Sequence, residues 1–136
     1  FEKVDLEYPH QIARIAKQEN VNQLVHISVI GATVNSSNFY TKTKGRAEDA
    51  IWKDGPKNSY AVRPSMLFGD REEFRLGEKA GIFLMKAFQF LMVGGAKKYR
   101  GIYDEEVAQA MIFIANSCPK QKAFDSEELK AIATNF

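Results

Sequence analysis

The stretch that decides the fold is Gln23-Leu24-Val25-His26-Ile27-Ser28-Val29-Ile30, an apolar, β-branched run with little alternation of apolar and polar residues. This pattern is typical of a strand covered on both faces in a parallel sheet. A second short strand is predicted from Ser59 to Arg63. Between them, Phe39 to Trp52 has the pattern of a helix, which stops at Asp54-Gly55-Pro56. These elements predict a right-handed βαβ crossover in an α/β sheet.

Further helices and a last strand are predicted on both sides of this unit. Apolar spacing indicates a helix from Leu6 to Lys17, with Asp5 as its cap and Pro9 in its first turn. The other predicted elements are an apolar helix from Glu78 to about Met92, a helix that Asp104 caps and that ends before Pro119, a strand at Ala123-Phe124-Asp125 and a final helix from Ser126.

Composition limits the class of protein. A chain of 136 residues with 45% hydrophobic residues predicts one globular domain. Lys and Arg number 19 against 17 Asp and Glu, interspersed, which argues against a nucleic-acid partner. A single cysteine excludes an intramolecular disulfide and favours a reducing compartment, so we expect a cytoplasmic protein without a bound metal.

Neither the first residues nor the longest apolar stretch indicates a secretory or membrane protein. The longest apolar stretch, around Gly81 to Val93, is shorter than the ~20 residues that a membrane-spanning helix needs. The first residues, Phe1-Glu2-Lys3, are charged from the second position, unlike a secretory signal. Because residue 1 is not Met, we expect a further part of the protein upstream.

Three side chains are placed to act together at the end of the first strand. Tyr40 and Lys44 stand four residues apart and project from one helix face. Ser28 lies near the carboxyl end of the strand, where open α/β sheets bind ligands. An ammonium group favours the phenolate form of a nearby tyrosine, and a serine hydroxyl can orient a substrate oxygen. The alternative is that Tyr40 and Lys44 belong to an ordinary solvated helix face. His26, in the apolar strand, is predicted to be a hydrogen-bonded core histidine and not a ligand.

The spacing Tyr40-x-x-x-Lys44, together with Ser28 and Arg63-Pro64-Ser65-Met66-Leu67, resembles atypical short-chain dehydrogenases/reductases, in particular the Tat-interactive oxidoreductase and its bacterial NAD(P)H-binding relatives. The resemblance implies the carboxyl-terminal portion of a Rossmann-type doubly wound parallel sheet. It implies Ser28, Tyr40 and Lys44 as catalytic residues and either NADP or NAD as cofactor. Lys44 would hold the nicotinamide ribose, and Arg63, Pro64, Ser65, Met66 and Leu67 would line the nicotinamide pocket.

The chain departs from that family in one large respect. A dinucleotide site needs a glycine-rich turn after the first strand, and the nine glycines here form no such turn. We therefore expect residues 1–136 to be one domain that forms the carboxyl-terminal part of an NAD(P)-binding fold. The missing βαβαβ half would leave an exposed sheet edge.

The function expected from these observations is an NAD(P)H-dependent oxidoreductase that acts on a small carbonyl or alcohol. Two alternatives stay open: a non-catalytic module that senses a dinucleotide or binds a protein, and a sugar-nucleotide epimerase. The expected partners are the dinucleotide and a small-molecule substrate, without nucleic acid or a membrane span, and a homodimer is compatible with all three functions.

Overall fold

The computed structural model describes residues 1–68 and 100–135, so the predicted helix from Glu78 to Met92 and the charged segment before it lie outside the described residues. In chain order the elements are a π-helical turn (Lys3–Glu7), α1 (Tyr8–Gln18), β1 (Gln23–Ile27), α2 (Phe39–Asp54), β2 (Asn58–Arg63), β3 (Leu67–Phe68), β4 (Ile102–Tyr103), α3 (Asp104–Ser117), β5 (Ala123–Asp125) and α4 (Ser126–Thr134).

The fold is mixed α/β, as the sequence predicts. A parallel sheet has the strand order β1-β2-β5. Val25 lies opposite Tyr60 across the first pair, and Val62 opposite Phe124 across the second. The short strands β3 and β4 form a separate parallel pair. A parallel sheet flanked by helices is consistent with part of a Rossmann-like fold.

Alternate side chains of β2 pack on the two opposite faces of the sheet. Tyr60 and Val62 belong to a buried cluster with Phe124 of β5 and with α3 and α4, which contribute Val107, Ala110, Ile114 and Leu129. Because side chains alternate along a strand, Ala61 faces the opposite side of the sheet. The helices α1 and α2 contact each other and pack against β1 and β2 respectively. Small residues allow a close α1–α2 approach: a Cβ on Gly55 would lie 3.1 Å from the Ala13 Cβ.

Element boundaries differ from the predicted ones at the two ends of the first helix–strand unit. The predicted strand runs to Ile30, but β1 ends at Ile27. The Ile30 N–H still donates to the Pro64 carbonyl, and Gly31 then turns the chain with φ of 77°. At the other end, helical backbone begins at Lys3 rather than Leu6, and Asp5 makes no capping hydrogen bond.

The carboxyl-terminal elements follow the prediction closely. The strand at Ala123–Asp125 and the helix from Ser126 are both present. Asp125 caps this helix, since its Oδ1 accepts hydrogen bonds from the Glu127 and Glu128 N–H groups. Tyr103 precedes α3, where Asp104 was expected as the cap, and its N–H donates to the Glu106 carboxylate at 2.8 Å. No helix within residues 1–68 and 100–135 is long and apolar enough to cross a membrane.

Candidate functional site

The start of α2 fixes the positions of Tyr40 and Lys44. Asn38 caps the helix, and its Oδ1 accepts hydrogen bonds from the N–H groups of Tyr40 at 2.9 Å and Thr41 at 3.2 Å. The helix therefore begins one residue before Tyr40, which places Tyr40 in its first turn and Lys44 one turn further along the same face.

Gly45 lets the loop after β1 lie directly on α2. A Cβ at this position would stand 2.3 Å from the carbonyl carbon of Thr33, which is far inside contact distance. The Thr33 N–H also donates to the Thr41 carbonyl at 3.3 Å. This close contact ties the loop to the first turns of α2, beside the carboxyl end of β1.

Ser28 lies at that carboxyl end and is 6% exposed. Its N–H continues the sheet by donating to the Val62 carbonyl at 2.8 Å. Its hydroxyl oxygen is buried and has no hydrogen-bond partner among the described residues. A buried hydroxyl without a partner is costly, so Ser28 has hydrogen-bonding capacity that the described residues leave unused.

Lys44 pairs with an acidic side chain that sequence reasoning assigned to a helix cap. Its ammonium nitrogen lies 2.6 Å from Oδ1 of Asp5, with side-chain exposures of 13% and 22% respectively. Asp5 stands in the π-helical turn before α1, so this ion pair holds the amino-terminal helix against α2. No local pattern signals a contact between residues so far apart in sequence.

His26 lies in β1, two residues before Ser28. Burial, followed by the nearby positive charge of Lys44, lowers the pKa of His26 to about 4, while Asp5 opposes the shift. His26 is thus neutral at physiological pH. Its Nε2 atom is buried and lacks a partner within the described part of the chain, so the described residues do not supply the hydrogen bond expected of a core histidine at this atom.

Tyr40 is more open than the other two predicted residues, at 43% exposure. The ring of Phe1 packs on it with a centroid distance of 5.5 Å, and on Phe39 at 5.6 Å. Ser28, Tyr40 and Lys44 thus all lie at the carboxyl end of the sheet, Ser28 buried, Lys44 held by Asp5 and Tyr40 at the surface.

The segment Arg63 to Leu67, predicted to contact a cofactor, is held by contacts within the chain. Arg63 donates from Nε to Glu48 at 2.9 Å and makes a second, shorter contact to the same carboxylate. Glu48 is almost fully buried, and its hydrogen bonds raise the pKa of Arg63. A ligand contact by Arg63 has to compete with this ion pair.

The polar groups of the next residues are similarly occupied. The Ser65 N–H donates to the Ser126 hydroxyl at 2.8 Å, and the Ser65 hydroxyl donates to the Arg100 carbonyl at 2.6 Å. The carbonyls of Pro64 and Met66 accept hydrogen bonds from the Ile30 and Ile102 N–H groups. What this segment offers a ligand is the partly exposed apolar surface of Met66 and Leu67.

A shallow polar cavity of about 340 Å³ lies elsewhere, between α1 and the end of α2. His10, Arg14, Lys17, Gln18 and Asp54 line it. The His10 ring lies 2.7 Å from Oδ2 of Asp54, and this hydrogen bond lowers the pKa of Asp54. None of the residues that line this cavity is one of the predicted site residues.

No family model matches the chain. Among curated proteins it is similar to Protein FMP52, mitochondrial, of several fungi. The protein from Meyerozyma guilliermondii is 34% identical over 121 residues, which cover 85% of this chain and 49% of the relative. Those from Debaryomyces hansenii and Eremothecium gossypii are each 30% identical, covering 99% and 88% of this chain and 58% and 54% of the relatives. The chain spans about half the length of the curated relatives that it matches.

These relatives correct three expectations from the sequence. The relatives described above are named as FMP52 and not as short-chain dehydrogenases or a Tat-interactive oxidoreductase, so that resemblance is wrong. The predicted NAD(P)H-dependent oxidoreductase activity depended on it and is wrong for the same reason. The relatives are named as mitochondrial proteins, which contradicts the cytoplasmic location inferred from the single cysteine.

Proposed function

We propose that this chain contributes a ligand-binding edge to a mitochondrial α/β protein, and that the ligand is a nicotinamide dinucleotide, NAD or NADP. Residues 1–136 would then form the carboxyl-terminal part of its nucleotide-binding domain. The observation that carries the proposal is the buried hydroxyl of Ser28, which lacks a partner among the described residues. It lies at the carboxyl end of a parallel strand, where open α/β sheets bind their ligands.

The residues at this edge fit the polar groups of such a ligand. A bound dinucleotide presents a carboxamide, ribose hydroxyls and phosphates, and all of these can accept a hydrogen bond from a serine hydroxyl. Lys44 keeps donor capacity beyond its contact with Asp5, because an ammonium group has three N–H donors. The Asp5 carboxylate fixes where those donors lie. Tyr40 supplies a hydroxyl and an exposed ring at the surface of the site.

The segment from Arg63 to Leu67 acts in this proposal as a rigid wall of the site. Its backbone hydrogen bonds and the Glu48 ion pair leave apolar side chains, Met66 and Leu67, facing outward. Such a wall suits the flat face of an aromatic ring, while Ser28 and Lys44 contact the polar part. Mitochondrial location is carried over from the names of the relatives.

The experiment that tests the proposal is an NMR titration of the chain with nicotinamide mononucleotide, the part of the dinucleotide that these residues would contact without the glycine-rich turn that the pyrophosphate requires. We expect saturable shifts in the resonances of Ser28, Tyr40 and Lys44, because these residues line the ligand edge. Ser28→Ala and Lys44→Met should each weaken the apparent affinity by roughly tenfold, the effect of losing one hydrogen bond to a charged or polar partner.

The matched control is Lys42→Met, which removes a similar charge from an exposed position on another face of the same helix. It should leave the affinity unchanged. Equal losses in Lys42→Met and Lys44→Met would show that only general charge attraction is being measured. Shifts confined to the cavity lined by His10 and Arg14 would place the nucleotide elsewhere and refute the proposal.

A further inference from the structure

The polar cavity between α1 and the end of α2 has the size of a small-molecule site. Its volume is about 340 Å³, at the lower end of the roughly 300–1,000 Å³ that such sites usually have. Apart from Asp54 at the end of α2, its lining comes from α1: His10, Arg14, Lys17 and Gln18. Since neighbouring members of this α1 set stand three or four residues apart, they share one face of the helix.

Positive charge exceeds negative charge at this cavity. Among the described residues that line it, only Asp54 is acidic, and its Oδ2 lies 2.7 Å from His10 Nε2. Neither Arg14 nor Lys17 forms an ion pair with any residue in the ranges 1–68 and 100–135. Lys53 is close enough that its charge helps to lower the pKa of Asp54, after the larger effect of the His10 hydrogen bond. Three cations thus surround one carboxylate that is already paired.

Helix dipoles explain only part of this positive charge. Lys17 and Lys53 lie in the last turns of α1 and α2, where a cation offsets the partial negative charge of the helix end. Arg14 precedes the last turn of α1, so the dipole does not account for it. A guanidinium group is planar, and its paired N–H donors match two oxygens of an oxyanion. Arg14 therefore offers the cavity a group suited to such a ligand.

The contact between His10 and Asp54 leaves further polar groups for a ligand. Asp54 is ionised at physiological pH because the His10 hydrogen bond lowers its pKa, and an ionised carboxylate only accepts. His10 Nε2 therefore carries the hydrogen of this contact, which makes Nδ1 of the neutral ring an acceptor. Such an acceptor can bind the hydroxyl of a singly protonated phosphate, while the Gln18 amide can donate to another oxygen.

We propose that this cavity binds a phosphate group, either free phosphate or the phosphate of a small organic monoester. Arg14 binds two of the phosphate oxygens, and Lys17 supplies the second positive charge. A phosphate monoester carries about 1.5 to 2 negative charges near pH 7, which these two cations balance. The site involves neither Ser28 nor Lys44 and does not depend on the proposed nucleotide edge.

The test is an NMR titration of the chain with inorganic phosphate and with glycerol phosphate, at an ionic strength held constant with sodium chloride. We expect both to give saturable shifts at the N–H groups of Arg14, Lys17 and Gln18. Tighter binding of glycerol phosphate would identify an organic monoester as the ligand, and equal binding would identify the phosphate group alone. Shifts that grow without saturating, or that spread over all exposed lysines, would overturn the proposal.

Variants of Arg14 separate a built site from general charge attraction. Arg14→Gln should weaken phosphate binding by at least about tenfold, because it removes two charge-assisted hydrogen bonds. Arg14→Lys should restore only part of the affinity, since it keeps the charge and loses the paired donors. The matched control is Lys42→Gln, an exposed lysine at the other end of α2, which should bind phosphate as the wild type does.

Arg14 is exposed, so these variants should fold, and circular dichroism checks that they do. Equal weakening in Arg14→Gln and Lys42→Gln would overturn the phosphate site. Because neither probe contains nicotinamide, that result would leave the proposed nucleotide edge to its own titration.

Discussion

The two strand ends at the carboxyl edge of the sheet differ in how fully their polar groups are paired. After β2, Arg63 is paired with Glu48 and Ser65 bonds both Ser126 and the Arg100 carbonyl. After β1, the Ser28 hydroxyl and His26 Nε2 are buried without partners among the described residues. Paired groups of the first kind stabilise a fold, while unpaired groups of the second kind indicate where a ligand or another segment binds.

The largest expected loss of stability comes from removing the Glu48 partner of Arg63 after β2. Glu48→Ala leaves the Arg63 guanidinium without its buried partner, and removal of one member of a buried ion pair costs about 3–5 kcal/mol of unfolding free energy. Urea unfolding followed by circular dichroism measures the loss. The control is Glu2→Ala, which breaks the exposed pair with Arg46 and should cost at most about 0.5 kcal/mol. Similar losses in both variants would contradict a structural role for Glu48.

The next effect concerns the unpaired end and depends on pH. Because the pKa of His26 is about 4 in the folded protein and 6.5 in a free histidine, the unfolded chain binds the proton first. The stability contributed by neutral His26 is complete above pH 6.5 and is lost as the pH falls toward 4, by on the order of 3 kcal/mol. Comparing the pH dependence of unfolding with that of His26→Gln isolates this part of the slope. His10→Gln should keep this part of the slope. A wild-type slope in His26→Gln would contradict the conclusion that His26 is held neutral in the folded protein.

A smaller effect should follow from filling the space between Thr33 and α2. Gly45→Ala places a methyl group against the Thr33 backbone, and overpacking of this kind costs about 1–3 kcal/mol. Gly31→Ala is the matched comparison, since a Cβ there meets no neighbour and the penalty comes only from its positive φ, roughly 1 kcal/mol. Thermal unfolding measures both. If Gly31→Ala costs more unfolding free energy than Gly45→Ala, the position of the loop after β1 does not depend on its contact with α2.

The sequence predicted the parts of this molecule that depend on local patterns. Apolar runs and turn residues were sufficient for β1, α2, β2 and the last strand, and for the placement of Tyr40 and Lys44 on one helix face. The Asp5–Lys44 and Glu48–Arg63 pairs were not predicted, because each joins side chains on different elements. Asp5 also matched a local pattern, that of a helix cap, which concealed its tertiary contact. Function was mistaken where the Tyr40-x-x-x-Lys44 spacing, joined to Ser28 and the segment from Arg63 to Leu67, was taken to indicate a family.

The smallest expected effect tests whether His26, Lys44 and Asp5 act as one electrostatic unit at the unpaired end. Lys44→Met removes the positive charge that helps to lower the pKa of His26, so that pKa should rise from about 4 toward 6.5. Asp5→Asn removes the negative charge that opposes the shift, so the pKa of His26 should fall further. NMR titration of the His26 ring measures both changes, and Lys42→Met provides the baseline. Shifts of opposite sign can arise only if both charges lie close to the ring, whereas burial alone would give the same pKa in all three variants.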